Sequence, residues 1–502
     1  MVRSAETRET GKVALGPVAL LYGGLLVLAG VLLAALAPLL RYTDSATPEG
    51  LFFQQHKTTF MPLYTLLQAQ PGAVGLLALL AGGLWGGALV GLYILLLRGT
   101  AGTAALTDLL WRSRAHWAAA GVAWLGALLA FPLLSDDTLY YLLGARAWLR
   151  GFNPYLPESI AAMMADSVHS LMGGELLPFT YGPLWLYLSL LPVALSGGSF
   201  GAALLGVKLL NVALAGLCLV VLWRLLDDRP APLRRRALLA LVWNPLLWLE
   251  VAWSGHNDVA MMLWVLLALL AWRRGHPAVS MALLVCGAAT KFIPLLLAPA
   301  LLAALLRFVE GPARLRTLLA ATGTGALALA LLFGPVAWSA GPAMLTGVIR
   351  QTSLINTVFG ALLRSGLDSL MGTQAAGLLM ALALLGLCLG AAWLVWRGAP
   401  LPDCMIAVLL GYVLVLATWS MPWYGLWVLL LAPLARPPLR EAALTATLLL
   451  PVYYVISAFP IPGWAIALLL GPLPLLLIGR IITRQPPADD PSASDELASP
   501  SL

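Results

Sequence analysis

Long apolar runs separated by short polar or basic connections repeat along the chain. Most hold roughly 20 residues, enough for a helix to cross ~30 Å of hydrocarbon. The pattern predicts an all-α, polytopic transmembrane bundle of about twelve crossings. Its spans fall at 13–40, 72–97, 116–134, 202–223, 237–253, 259–272, 318–338, 374–396, 405–419, 424–435, 442–456 and 464–482. Two runs fit no simple crossing. Residues 184–195 are too few, and a crossing there would put the densest arginine cluster on the wrong side, so a helix lying in the outer leaflet is expected. Residues 277–306 carry arginines at both ends and Lys291 in the middle, which predicts a re-entrant or broken hairpin with Lys291 near its tip.

Basic residues fix the expected orientation. Arg112 and Arg114, the cluster Arg224, Arg229 and Arg234 to Arg236, Arg273 and Arg274, and Arg397, Arg436 and Arg440 all sit between apolar runs, the mark of a cytoplasmic side. Arg3, Arg8 and Lys12 precede a first run too long for a signal-peptide core, which therefore reads as a signal anchor. Two polar stretches face outward in this scheme, 135–183 and 339–369. Residues 1–484 read as one integral membrane domain, and 485–502, rich in Pro, Asp and Ser, as a disordered cytoplasmic tail.

Composition narrows the class. The chain of 502 residues is 61% hydrophobic and only 10% charged, against about 25% charged in soluble domains. The net charge of +7 is spread over membrane-flanking loops and implies a lipid bilayer, not nucleic acid, as partner. The four cysteines, at 218, 286, 388 and 404, stand singly in or beside apolar runs and read as small core residues.

Candidate chemistry concentrates where polar groups interrupt this pattern. Asp136 and Asp137 stand together after an apolar run, in a chain with 22 acidic residues. On a helix they would point about 100° apart, so one can face a cleft while the other faces solvent. A general base and an N-cap are both open readings. Paired carboxylates also suit a divalent cation, but no further oxygen-ligand pattern accompanies them, so neither metal nor cofactor is expected. Ser254-Gly255-His256-Asn257-Asp258 places consecutive polar groups between two apolar helices, where they need water, one another or a ligand; a capping turn is the bland alternative. Lys291 either snorkels or meets an anionic partner.

The ordered set Ser135-Asp136-Asp137, Tyr140, Gly144, Asn153-Pro154-Tyr155 and Tyr181-Gly182-Pro183 resembles the first outer loop of the GT-C superfamily of membrane glycosyltransferases. Asn244-Pro245, Gly255-His256-Asn257-Asp258 and Lys291 are similar to the bacterial polyprenol-phosphate-mannose-dependent mannosyltransferases. The resemblance covers about 134–292. It implies an inverting transferase of the plasma membrane with an extracytoplasmic site, a polyprenyl-phosphate sugar donor and a glycan or glycolipid acceptor. Asp136, eight residues before Gly144, takes the place of the catalytic acidic residue, with Asp137 as rival. Lys291 and Arg350 would meet the leaving phosphate. Tyr140, Asn153, Tyr155, Tyr181, His256, Asn257 and Asp258 would contact substrate, and Trp419, Trp423 and Tyr424 would stack on an acceptor sugar or form an interfacial belt. The alternative class is a secondary transporter or lipid flippase, which would place charges mid-membrane on paired broken helices.

Overall fold

The computed structural model describes residues 101–450, apart from 130, 133–134, 173–175, 310, 353, 355 and 357–358. The expected spans at 13–40, 72–97 and 464–482, the end of 442–456 and the tail lie outside the described residues. Among the described residues every regular element is helical.

The centre is α7, Asp258–Arg273, which follows α1 (Ala101–Arg112), α2 (Arg114–Leu129), α3 (Asp137–Leu149), α4 (Pro183–Leu195), α5 (Phe200–Leu225) and α6 (Ala231–Val242). It is apolar all round, and Val259, Met261, Met262, Val265 and Leu266 are wholly buried, as such a helix must be. It packs between α5 and α8, Pro277–Thr290. Proline opens α4 and α8, where the first turn has no use for its missing N–H.

Among the described residues, three helices are long and apolar enough to cross a membrane: Phe200–Leu225, Ala313–Gln351 and Thr373–Arg397. The last two expose Leu315, Leu319, Leu327, Leu331, Leu378, Leu382 and Leu389, the surface that lipid, not water, would cover. Shorter apolar helices, Pro183–Leu195 and Pro277–Thr290 among them, complete the bundle.

Several expected boundaries move. The connection before Arg112 is the helix α1, whose Asp108 pairs with Arg235 of α6 at 2.6 Å. The run 237–253 is not one helix: Asn244-Pro245 ends α6, since proline cannot continue the hydrogen-bond ladder, and a wide turn of π-helix, Trp248–Trp253, follows. The stretch 339–369 is largely helical, as Gly341–Leu345, Thr346–Thr352 and Phe359–Met371. The break at Lys291 is present, with extended backbone there (φ −154°, ψ 133°) between α8 and a 3-10 turn at Ile293–Leu297, leading to α9 (Ala298–Phe308).

The charged ends of these helices segregate. Arg234 pairs with Asp227 at 2.7 Å and Arg273 with Asp228 at 3.1 Å. Asp258 lies at the other end of α7, about 22 Å from Arg273 at 1.5 Å per residue. A buried polar cluster is built around that end.

Candidate active site

Four breaks in helical structure meet at the N-terminus of α7. They are the start of α3, the π turn and its exit Ser254 to Asn257, the interruption at Lys291, and the 3-10 turn Pro422–Tyr424, whose Trp423 stacks on His256. Irregular backbone inside an apolar bundle persists only where its polar groups are met by other protein, water or a ligand. Gly255 makes the tight exit possible. Its φ of +73° suits glycine, and a Cβ there would lie 2.8 Å from Thr138 Oγ1 and 3.1 Å from Lys208 Cγ.

Asp137 is the first residue of α3 and is a quarter exposed (24%). Its Oδ2 accepts a 2.7 Å hydrogen bond from the Tyr181 hydroxyl and lies 3.7 Å from His256 Nε2. Burial raises its pKa from the ordinary 3.8 to about 6, against the opposing pull of the Lys291 charge and the Tyr181 hydrogen bond. Burial also lifts the Tyr181 phenol well above its usual range, so it remains a donor. Asp136 occupies the N-cap position without a side-chain capping bond; Ser135 Oγ accepts from Asp137 N instead, at 3.1 Å.

His256 is wholly buried and stacked on Trp423, with ring centroids 4.0 Å apart. Its Nδ1 lies 3.0 Å from Oε2 of Glu250, a carboxylate with no exposure that sequence reasoning missed inside an apparent span. Burial, reinforced by Lys291, pushes the imidazole well below its usual pKa, so it is neutral at physiological pH. Asp258 Oδ1 accepts from Lys291 Nζ at 2.8 Å and from Trp427 Nε1 at 2.5 Å. The Lys291 Nζ also sits 4.9 Å from the Tyr424 ring centroid and 5.5 Å from that of Trp427, within cation–π reach of both. Three buried atoms on consecutive residues have no hydrogen-bond partner: His256 Nε2, Asn257 Nδ2 and Asp258 Oδ2. Such groups cost about 1–3 kcal/mol each unless water or another polar group meets them.

The other expected residues divide. Tyr181 and Asn257 join the cluster, Asn257 through the Tyr141 hydroxyl at 3.2 Å. Tyr140, Asn153 and Tyr155 hold the surrounding loop. Tyr140 donates to the carbonyls of Leu177 and Pro178, Tyr155 to that of Tyr181 at 2.9 Å, and Asn153 to Ser339 Oγ at 2.8 Å. Asp166 braces the same loop by pairing with Arg146 at 2.8 Å and Arg150 at 2.7 Å. Arg350 is exposed on the helix Thr346–Thr352, whose Gly347 packs on the Pro178 carbonyl. Trp423 and Tyr424 are buried against the cluster, and Trp419 is partly buried. Lone polar residues in apolar runs were the available signal for Glu250, since an intramembrane ionisable group is a functional candidate by default.

A protein this apolar, helical throughout its described residues and with a buried polar cluster at one end of its central helix, has the make-up of a membrane protein. The chain belongs to the alpha-(1->6)-mannopyranosyltransferase family, whose N-terminal-domain model matches residues 21–307. It is therefore a glycosyltransferase, a mannosyltransferase of GT-C type. The matched stretch contains Asp136, Asp137, Tyr181, Glu250, His256 to Asp258 and Lys291, whereas Arg350, Trp423 and Trp427 lie beyond it. No curated protein and no solved structure matches the chain significantly.

Proposed function

We propose that the chain transfers mannose, with inversion, from a polyprenyl-phosphate donor to a glycan or glycolipid acceptor. The site would face outward from the plasma membrane, with Asp137 as general base. The observation that carries this reading is the position of the Asp137 carboxylate. It is part-exposed, fixed by Tyr181, beside three unpartnered buried polar atoms, and has a pKa near 6 that suits a base working at neutral pH. Geometry thus favours Asp137 over Asp136 for the role.

In the reaction the acceptor hydroxyl gives its proton to Asp137 while its oxygen attacks the anomeric carbon from the face opposite the phosphate. The bond from that carbon to the phosphate oxygen breaks, and polyprenyl phosphate leaves as an anion. That leaving group needs positive charge more than an acid, and Lys291, paired with Asp258 and set against two aromatic rings, would supply it. Arg350 would add a second cation from the rim. The unpartnered atoms of His256, Asn257 and Asp258 include both donors and acceptors, and sugar hydroxyls can satisfy either kind. The shorter apolar helices would complete the remaining crossings, with the Lys291 hairpin reaching up from the cytoplasmic side.

The test is turnover of purified protein with labelled polyprenyl-phosphate mannose and a panel of glycan and glycolipid acceptors. Asp137→Asn should lower transfer by roughly two to four orders of magnitude while donor binding survives. Asp136→Asn should cost much less. Near-native turnover of the Asp137 variant would sink the assignment, and substrate flux across sealed vesicles without glycosidic product would favour a transporter.

A further inference from the structure

The proposed reaction leaves the buried Glu250, beside His256, without a task. Glu250 lies in the π turn Trp248–Trp253, whose widened register carries its carboxylate to His256 Nδ1 at 3.0 Å. The backbone repeats the link, because His256 N donates to the Glu250 carbonyl at 2.8 Å. Trp423 stacked on the imidazole restricts rotation of the ring. The one ring atom left over, Nε2, is buried, without a partner, and 3.7 Å from the oxygen of Asp137 that faces Tyr181.

We infer that Glu250 is a positioning residue: by accepting the Nδ1 proton it fixes His256 as the tautomer whose Nε2 lone pair faces Asp137. The inference rests on Asp137 as base. As the acceptor hydroxyl releases its proton to Asp137 Oδ2, the new carboxylic O–H finds an acceptor waiting at Nε2. The proton stays on Asp137; the acceptor's O–H bond breaks, the glycosidic bond forms and the phosphate departs with the electron pair of its own bond. With the opposite tautomer, Nε2–H would donate to the ionised carboxylate, stabilise it before reaction and weaken it as a base.

The charged and titratable groups of the cluster around His256 are few enough to predict the sign. Glu250 from the π turn and Asp137 from α3 lie against the ring, and Lys291 from the helix break acts on it by charge. Tyr141, Tyr181 and Asp258 stand one contact further out, on Asn257, Asp137 and Lys291. Glu250→Met removes the acceptor at similar volume and frees the ring to adopt the Nε2–H tautomer, drawn by Asp137. Its kcat should fall roughly ten- to a hundredfold with donor KM changed far less, and the acid limb should move about one pH unit lower. Glu250→Gln keeps an oxygen able to accept from Nδ1–H and should retain most of the rate and the native limb, although the charge is gone.

Two results would overturn the idea. One is an equal downward shift in the Gln and Met variants, which would make the effect one of charge alone. The other is a native kcat and pH profile in Glu250→Met, which would leave Glu250 a packing residue. Should the Met variant fail to fold, nitrogen-15 NMR of histidine-labelled wild-type protein in nanodiscs still decides. A proton on His256 Nε2 in the resting enzyme refutes the tautomer. Asp137→Asn separates the two layers: if it keeps turnover, the base assignment falls, whereas an inactive Asp137 variant beside a native Glu250→Met removes only the positioning role.

Discussion

Replacing Tyr181 with Phe deletes one oxygen and leaves the ring that packs against Tyr141 and Phe179. The lost hydrogen bond to Asp137, at 2.7 Å, is one of two influences holding that carboxyl down against burial. A hydrogen bond to a charged group contributes ~1.5–3 kcal/mol, and 1.36 kcal/mol corresponds to one pKa unit. Because Asp137 is 24% exposed, water recovers part of the loss, and a rise of about one unit remains. The acid limb of kcat/KM should therefore move from about 6 to about 7. At pH 6 the wild-type base is half ionised and the variant's roughly a tenth, a fivefold deficit that closes above pH 8. The assay is a pH–rate profile from pH 5 to 9 in nanodiscs, with donor binding followed in parallel. A wild-type limb near 4, or a variant limb that does not move, would refute the account of Asp137.

Three other outcomes follow from the same cluster. The raised pKa of Asp137, about 6 against 3.8, gives stability that is present below pH 3.8 and lost as pH rises through 6. Asp137→Asn should accordingly raise the melting temperature at pH 7.5, by up to about 3 kcal/mol in stability, in the preparation that shows its loss of turnover. Lys291→Met leaves the buried Asp258 without its cation, so stability should fall by ~3–5 kcal/mol and donor titration should weaken; Lys291→Arg should recover part of both. A cysteine at Ser170 should react with an impermeant reagent added outside intact cells, and one at Pro232 only after the membrane is opened, and the reverse pattern would invert the topology.

The helical class and the ends of the cluster were legible because both are local. Apolar runs reveal helices, and Asp137, His256, Asp258 and Lys291 stand out against apolar neighbours. What the pattern hid depends on three-dimensional register. Asp136 and Asp137 are equivalent in sequence, and only the helix start at Asp137 and the distant Tyr181 hydroxyl separate them. Glu250 vanished inside a run counted as a crossing, because a π turn leaves no mark in hydrophobic periodicity. Tyr140, Asn153 and Tyr155 belong to the motif that carries the resemblance, yet their hydrogen bonds go to main chain and to Ser339. A motif does not distinguish the residues that hold a loop from those that meet a ligand.

The stretch from Pro178 to Gly182 is gripped at both ends by contacts that leave no room for a methyl group. A Cβ on Gly347 would fall 2.2 Å from the Pro178 carbonyl oxygen, and one on Gly182 2.1 Å from that of Ala289. Gly182 N also donates to the Thr290 carbonyl at 3.1 Å, directly before Lys291. The backbones that carry Tyr181 and Lys291 are thus tied to one another through main chain, while side-chain bonds to Asp137 and Asp258 set where the hydroxyl and the ammonium lie. The spacing of the two segments works as a fixed gauge, changed at once by a single added carbon at either glycine.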